Sequence, residues 1–430
     1  MLHQRGAGVL MHISSLPSPY GIGVFDRHAR DFIDRIADMG FTYWQVLPFN
    51  PIDGAGSPYC SPSAFAGNYL FIDPQGLQDM GLATAEEVAA NHYDGTPYTA
   101  DFAFAGERRL ALLEQAFLRI DDTLAAKIKA FEVENPWLTD YSVFMAVKEA
   151  ENGKPWWQWS DRHAHYHTCI QDIYAYESRA AFWKFVQYIF YLQWGNIKAY
   201  ANEKGVAVLG DMPIYVAMDS ADVWSGLPLF LIDEKTLKPE KVAGVPPDYF
   251  SENGQLWGNP LYDWKHHEAD GYSWWIDRIK MQMKLTDYLR IDHFRGFDTY
   301  WAIPATSTTA RTGKWENGPG MELFDALEAA RHGKHPHQQR HQRHRDARRH
   351  AKEGKAARNT RKLRNGHGCV GDQQRRHSKY TLAHAKALAN ERCQALARDA
   401  AAARRGLLRH DEQHSHDGKH PEHLIAVAGA

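Results

Sequence analysis

Cysteine is scarce. The 430-residue chain has four, Cys60, Cys169, Cys369 and Cys393, and no two form a C-x-x-C spacing. A disulfide framework and a zinc site are therefore not expected, and a reducing compartment fits. No apolar run reaches about 18 residues, so no membrane span or membrane partner is expected. Met1 to Gly8 lacks a long apolar segment of the signal-peptide kind, and the expected location is cytoplasmic. Glycine-rich phosphate loops of the GxxxxGK[ST] or GxGxxG kind are absent, and no cofactor is expected.

Aromatic residues are plentiful, at 12% of the chain, yet they are nearly absent from its last hundred residues. All 14 Trp precede residue 331, and from there to Ala430 no Phe occurs and one Tyr, Tyr380. That segment holds 23 Lys and Arg against 9 Asp and Glu, and 14 of the 24 His. The first 330 residues hold 27 basic against 43 acidic ones. A segment so poor in large apolar residues cannot bury enough surface to offset ordering, so 331–430 is expected to be disordered. Its charge suits salt-sensitive phosphate binding. Base stacking needs aromatics, however, so nucleic acid is not an expected partner.

The first 330 residues alternate strands and helices. Gly8 to Ile13 reads as a strand. Asp26 caps a helix running to about Met39, with Phe32, Ile33 and Ile36 on one face and Gly40 as its stop. Tyr43 to Leu47 is a second strand. Residues 51 to about 180 interrupt the rhythm as a long aromatic insertion, with a helix from Glu107 to Phe131. A helix from about Ser178 to Glu203 leads into a strand Val206–Gly210, which ends in Asp211. Asp219 to Asp263 reads as a long loop region. A helix over 272–285 leads into the strand that begins at Tyr288. Three strand ends thus open into polar or carboxylate-bearing loops, which suits an α/β barrel.

The chemistry centres on Tyr288-Leu289-Arg290-Ile291-Asp292-His293. Arg290 and Asp292 are two residues apart, so on a strand they share a face. A guanidinium that close favours the ionised carboxylate, and an oriented carboxylate is a nucleophile or charge stabiliser. Asp211 ends its own strand and reads as an acceptor for a polyol. Pro58-Tyr59, Trp156-Trp157-Gln158-Trp159 and Gln255-Leu256-Trp257-Gly258-Asn259-Pro260 place flat rings beside amides and acids, a combination that suits the apolar face and polar rim of a sugar. Core packing is the alternative for each of these indoles. His163, His165 and His167 would share one face of a strand, but their spacing matches no common zinc pattern.

Several stretches together resemble the 4-α-glucanotransferases of the amylomaltase, or disproportionating-enzyme, type, relatives of the α-amylase superfamily. They include His12-Ile13-Ser14-Ser15-Leu16-Pro17, Gln45-Val46-Leu47-Pro48, Ser57-Pro58-Tyr59 and Gly210-Asp211-Met212-Pro213-Ile214-Tyr215. Gly244-Val245-Pro246-Pro247-Asp248-Tyr249-Phe250, Gln255 to Pro260 and Leu289 to Gly296 follow in the family's order. The resemblance implies a (β/α)₈ barrel with large insertions, of which 1–330 is the recognisable N-terminal half. It implies retaining transfer of an α-1,4-glucan segment to the 4-hydroxyl of another glucan, with Asp292 as nucleophile and Arg290 orienting it. Ser57, Tyr59, Asp211, Asp248, Gln255, Trp257 and His293 match substrate-contacting positions. A non-catalytic glucan-binding protein and an α-glucan hydrolase are the alternatives.

The resemblance also exposes a gap. Retaining chemistry needs an acid/base carboxyl about 5–5.5 Å from the nucleophile. The family carries it in a Glu-Asp-Leu-Gly-like motif on the next strand, with a further Asp preceded by His on a later one. Neither motif occurs here, and the family's pattern fades near Leu327-Glu328-Ala329-Ala330. The expectation is that 331–430 is an out-of-frame reading of a GC-rich gene, and that this polypeptide is inactive or severely impaired. Recovery of the Glu motif in another reading frame would test the first point.

Overall fold

The computed structural model describes residues 6–331. The expectations for the basic segment of 332–430 lie outside the described residues. Eight strands carry the argument: β1 (Gly8–Leu10), β2 (Tyr43–Gln45), β3 (Ala207–Pro213), β4 (Lys241–Val245), β5 (Gln255–Pro260), β6 (Tyr288–Asp292), β7 (Thr299–Pro304) and β8 (Lys314–Asn317). Seven helices matter: α1 (Arg27–Asp38), α2 (Phe102–Phe117), α3 (Asp122–Glu134), α4 (Trp137–Ala150), α5 (Glu177–Glu203), α6 (Ser273–Leu285) and α7 (Met321–Arg331).

β1, β2, β3 and β6 form one parallel sheet in chain order. A helix precedes each strand after the first: α1 before β2, α5 before β3, α6 before β6. Neighbouring strands that follow one another in sequence, each joined through a helix, are four of the eight units of a (β/α)₈ barrel with large insertions. In the register, Asp211 of β3 faces Arg290 of β6, and Pro213 faces Asp292. Among the described residues β6 has β3 as its one strand neighbour.

Local sequence explains the barrel helices. The Asp26 side chain accepts from the His28 N–H at 2.8 Å, capping α1, while Ile33 and Ile36 are buried. Helix α5 buries Phe182, Phe185, Val186, Ile189, Phe190 and Trp194 along its length. Trp194 packs on Phe49 with ring centroids 4.2 Å apart and donates to the Leu285 carbonyl at 2.8 Å. One indole thus ties α5 to the segment after β2 and to the approach of β6. Gly210 is needed for the same contact layer: a Cβ there would lie 2.5 Å from Thr286 Cγ2.

Four expectations require correction. The first strand is shorter than Gly8–Ile13, because Ile13–Ser15 turns into a 3₁₀ helix. The helix expected over Glu107–Phe131 is two helices, α2 and α3, because Asp121 caps the second by accepting from the Leu124 N–H at 2.7 Å. The region 219–263 is not one long loop. It holds a short helix, Ala221–Ser225, and the strands β4 and β5. These join β7 and β8 in an antiparallel sheet of order β8-β7-β4-β5. β5 contains Gly258 and Pro260, and it lies at the sheet edge, where both are tolerated. His163, His165 and His167 do not lie on a strand either; they fall in the helical turns Asp161–Ala164 and Tyr166–Cys169. His163 Nδ1 lies 2.6 Å from Glu151 Oε1 and its Nε2 lies 2.9 Å from the Tyr176 hydroxyl. Among the described residues no group of three or more His, Cys, Asp or Glu is placed to hold a metal. No helix among them is long and apolar enough to cross a membrane.

Candidate functional site

The antiparallel sheet shows where the chain's surplus length goes. β4 and β5 belong to the excursion from the C-terminal end of β3 toward α6, and β7 and β8 to the excursion after β6. Loops from two adjacent barrel strands therefore pair with each other beside Asp211 and Asp292. This is the end of the sheet where barrel chemistry gathers.

A row of four polar side chains crosses that end. The Tyr59 hydroxyl donates to Asp211 Oδ2 at 2.8 Å. Arg290 Nη1 donates to both Asp211 oxygens, at 2.7 and 2.8 Å, and Nη2 donates to Asp292 Oδ1 at 2.5 Å. One guanidinium thus orients two carboxylates on adjacent strands, as the facing of Asp211 and Arg290 in the register requires. The two acids differ in burial: the Asp211 side chain is 2% exposed, that of Asp292 43%. Asp211 is inward structure, whereas Asp292 presents an open face to anything bound above it. Asp292 Oδ2 carries no hydrogen bond among the described residues, so Arg290 holds one oxygen and leaves the other free.

Burial pushes the Asp211 carboxyl above the usual range, against the pull of Tyr59 and Arg290 in the other direction. Burial and then the Asp211 charge raise the Tyr59 hydroxyl, so Tyr59 stays a proton-bearing donor. His293 has φ 53°, in the left-handed region, which ends β6 abruptly and turns its ring toward β5. Its ring meets Trp257 edge-on at 4.9 Å, and Tyr215 lies 6.4 Å from it. Burial lowers the His293 pKa, with Asp292 opposing, so the imidazole is neutral near pH 7. Trp257 is 36% exposed, and its Nε1 donates to Gln255 Oε1 at 2.9 Å. Gln255, Trp257 and His293 thus form an aromatic and amide wall next to the charged row.

The remaining expected residues are less central. Ser57 shapes the Tyr59 loop: its Oγ accepts from the Tyr59 N–H at 3.3 Å, while its own N–H donates to Asp53 Oδ1 at 2.8 Å. Asp248 accepts from the Phe250 and Ser251 N–H groups, turning a loop on which Tyr249 and Phe250 are exposed. Ser57 reaches the row through the Tyr59 backbone alone, and among the described residues no hydrogen bond joins Asp248 to it. Trp156 and Trp159 are core, with Nε1 groups donating to Met218 O at 2.7 Å and Lys154 O at 2.8 Å. Sequence reasoning missed Arg278. Buried to 1%, it donates to the Pro213 and Ile214 carbonyls at 2.6 and 2.9 Å and so clamps the end of β3 just past Asp211. It sits mid-helix in α6, where nothing local marks it.

A half barrel with paired acids on adjacent strands, flanked by an exposed indole, defines a protein of the α/β-barrel class. The sequence pattern described as 4-alpha-glucanotransferase matches residues 11–339, and the chain belongs to that family. The 4-alpha-glucanotransferase of Clostridium butyricum is 43% identical over 325 residues, which are 74% of this chain and 66% of the relative. That of Aquifex aeolicus is 42% identical over 329 residues, 75% of this chain and 66% of the relative. The amylomaltase from Streptococcus agalactiae, solved in complex with acarbose, superposes with a TM-score of 0.73 at 38% identity, covering 77% of this chain and 68% of that one. The chain thus spans 66% of the length of the two curated relatives. The match ends a few residues beyond Ala330, where the composition changes.

Proposed function

We propose that this chain carries the nucleophile-bearing half of a 4-α-glucanotransferase site and binds α-1,4-glucans there, with little or no turnover. The observation that carries the reading is the Tyr59–Asp211–Arg290–Asp292 row, which ends on a half-exposed carboxylate. The acarbose complex of the similar amylomaltase supports a glucan as ligand. In the proposed first step Asp292 attacks the anomeric carbon and the glycosidic C–O bond breaks. Arg290 aims the carboxylate through its bond to Oδ1. Asp211, buried beneath the row, holds Arg290 in place, the neutral His293 engages a sugar hydroxyl, and Trp257 offers an apolar face to a ring. The departing 4-oxygen needs a proton. The Glu-Asp-Leu-Gly-like motif that would supply it is missing from the sequence, which costs roughly 10²–10⁴-fold in rate.

An activated substrate separates the two halves of this reading. The fluoride of α-maltotriosyl fluoride leaves as an ion without a proton donor. The expected result is fluoride release with a maltotriosyl adduct on the peptide containing Asp292, absent in Asp292→Asn. Maltotriose itself should be bound and left intact. Glucose release from maltotriose at the rate of a full-length relative would refute the inactivity. Maltotriose affinity with neither fluoride release nor adduct would instead mark a non-catalytic glucan-binding protein.

A further inference from the structure

We propose a second carbohydrate-binding site, outside the Asp292 cleft, in a cavity of about 400 Å³ between α4, α6 and the short helix Ala221–Ser225. The proposal rests on the glucan reading above for its choice of sugar. Rings and carboxyls both line the cavity, among them Phe65, Trp137, Trp274, Asp140, Asp222 and Asp277. Trp137 stacks on Phe65 at 5.9 Å and 18°, and Trp274 meets the same Phe65 edge-on at 5.9 Å and 84°. The rings therefore form a corner, with apolar surface in two directions.

The carboxyls are held in orientation. Asp140 accepts from the Tyr166 hydroxyl at 2.7 Å, and Asp222 Oδ2 accepts from the Ala64 N–H at 2.7 Å. Burial raises both above the usual carboxylate range, Asp222 to about 6. Lys280 and Lys284 line the same cavity, so its acids are opposed by cations and the space does not select for a cationic ligand. A neutral polyol fits better: its hydroxyls need fixed polar partners and its ring faces need apolar contact. The volume falls within the usual range for small-molecule sites.

The cavity also reaches the cleft's own loop. Ser63 lines it, four residues after Tyr59. Ser63 Oγ accepts from the Phe65 and Ala66 N–H groups at 3.1 Å each, and Asn50 Nδ2 donates to the Ser63 carbonyl at 3.0 Å. A sugar seated against Phe65 and Asp222 therefore braces the segment that presents Tyr59 to Asp211.

The test is equilibrium dialysis of the full chain with radiolabelled maltotriose. The expected result is two equivalents per chain, of which Trp257→Ala removes one. The double variant Asp140→Asn/Asp277→Ala should weaken the other at least tenfold. Asp140→Asn keeps an acceptor for Tyr166, and Asp277 is exposed on α6. Retention of the Trp257-dependent equivalent in that variant reports an intact fold. The proposal is overturned if the double variant keeps both equivalents, or if the wild type binds one that Trp257→Ala abolishes. Loss of all binding in a double variant whose thermal unfolding matches the wild type, with Trp257→Ala unchanged, sustains the second site and sinks the cleft reading; the same loss with a collapsed unfolding transition overturns the claim that these two side chains act on the sugar rather than on the fold.

Discussion

Two groups of indoles in this molecule have opposite roles, and their sequence contexts point the wrong way. Trp156 and Trp159 sit in a dense aromatic run beside amides and acids, which resembles a sugar platform. They are 1% and 5% exposed, and Trp159 packs with Phe144 and Trp224 while every indole N–H among the three finds a carbonyl. Trp257 stands alone on an edge strand, bounded by Gly258 and Pro260, and it is the one left facing the carboxylates' end of the barrel. Clustering marks indoles that satisfy one another. An isolated indole held by a single amide, at an edge, is free to meet a ligand.

That contrast predicts a clean separation of stability from binding. Trp156→Ala should lower unfolding stability by about 3–5 kcal/mol, through lost burial and a cavity, measured by denaturant titration. Trp257→Ala should change stability by about 0.5 kcal/mol or less and weaken maltotriose roughly tenfold, the scale of one lost ring contact. A Trp257→Ala variant that unfolds like Trp156→Ala would collapse the distinction.

Arg290→Met sharpens the comparison from the polar side. It leaves Asp211 buried without its cation, and partial exposure of the guanidinium reduces the loss below that of a fully buried pair, to about 2–3 kcal/mol. Asp211→Asn in the same background should recover part of that stability, because the orphaned charge is gone. Absence of recovery would mean that Arg290 acts through packing alone. Gly210→Ala, beside Thr286, should cost about 1–3 kcal/mol by overpacking and lower glucan affinity by shifting β3 against β6. Thr286→Ser, which removes the clashing methyl, should relieve it.

The smallest effect concerns pH. Asp222 has its pKa raised by burial to about 6, so between about pH 4 and 6 the folded chain holds a proton that the unfolded chain has released. Its contribution is therefore present below the unfolded pKa and lost as pH rises through about 6. Asp73, also raised to about 6 by burial, has the same sign. Asp222→Asn keeps an acceptor for Ala64 and should flatten part of this fall, read as a smaller drop in the urea midpoint from pH 4 to pH 7. An unchanged slope would assign the fall to Asp73 and other groups.

Much of the barrel was legible from local pattern. Asp26 before an apolar-periodic run marked α1, and Gly205 after the long apolar face marked the end of α5, where its φ is 77°. The alternation of Arg290 and Asp292 placed both on one strand face, as found. The antiparallel sheet was not legible, because β4 is held by β7, and β5 in turn by β4, rather than by periodicity of their own. Nor was the His163 to His167 alternation informative, since two short helical turns replaced the strand it needed.

By itself, the sequence determined the helix caps and stops, the carboxylate at the end of β6, and the family, because each depends on neighbours a few residues apart or on motif order; Asp211, expected to end its strand, lies within β3, which runs on to Pro213. Only the tertiary structure decided that Arg290 serves two acids at once, that Asp211 is buried while Asp292 is open, and that Trp257 rather than Trp156 faces the cleft. The first two outcomes depend on contacts between residues 79 and 152 positions apart, Arg290 with Asp211 and Tyr59 with Asp211. Burial and charge pairing at that range follow from how the strands align, which no local pattern encodes.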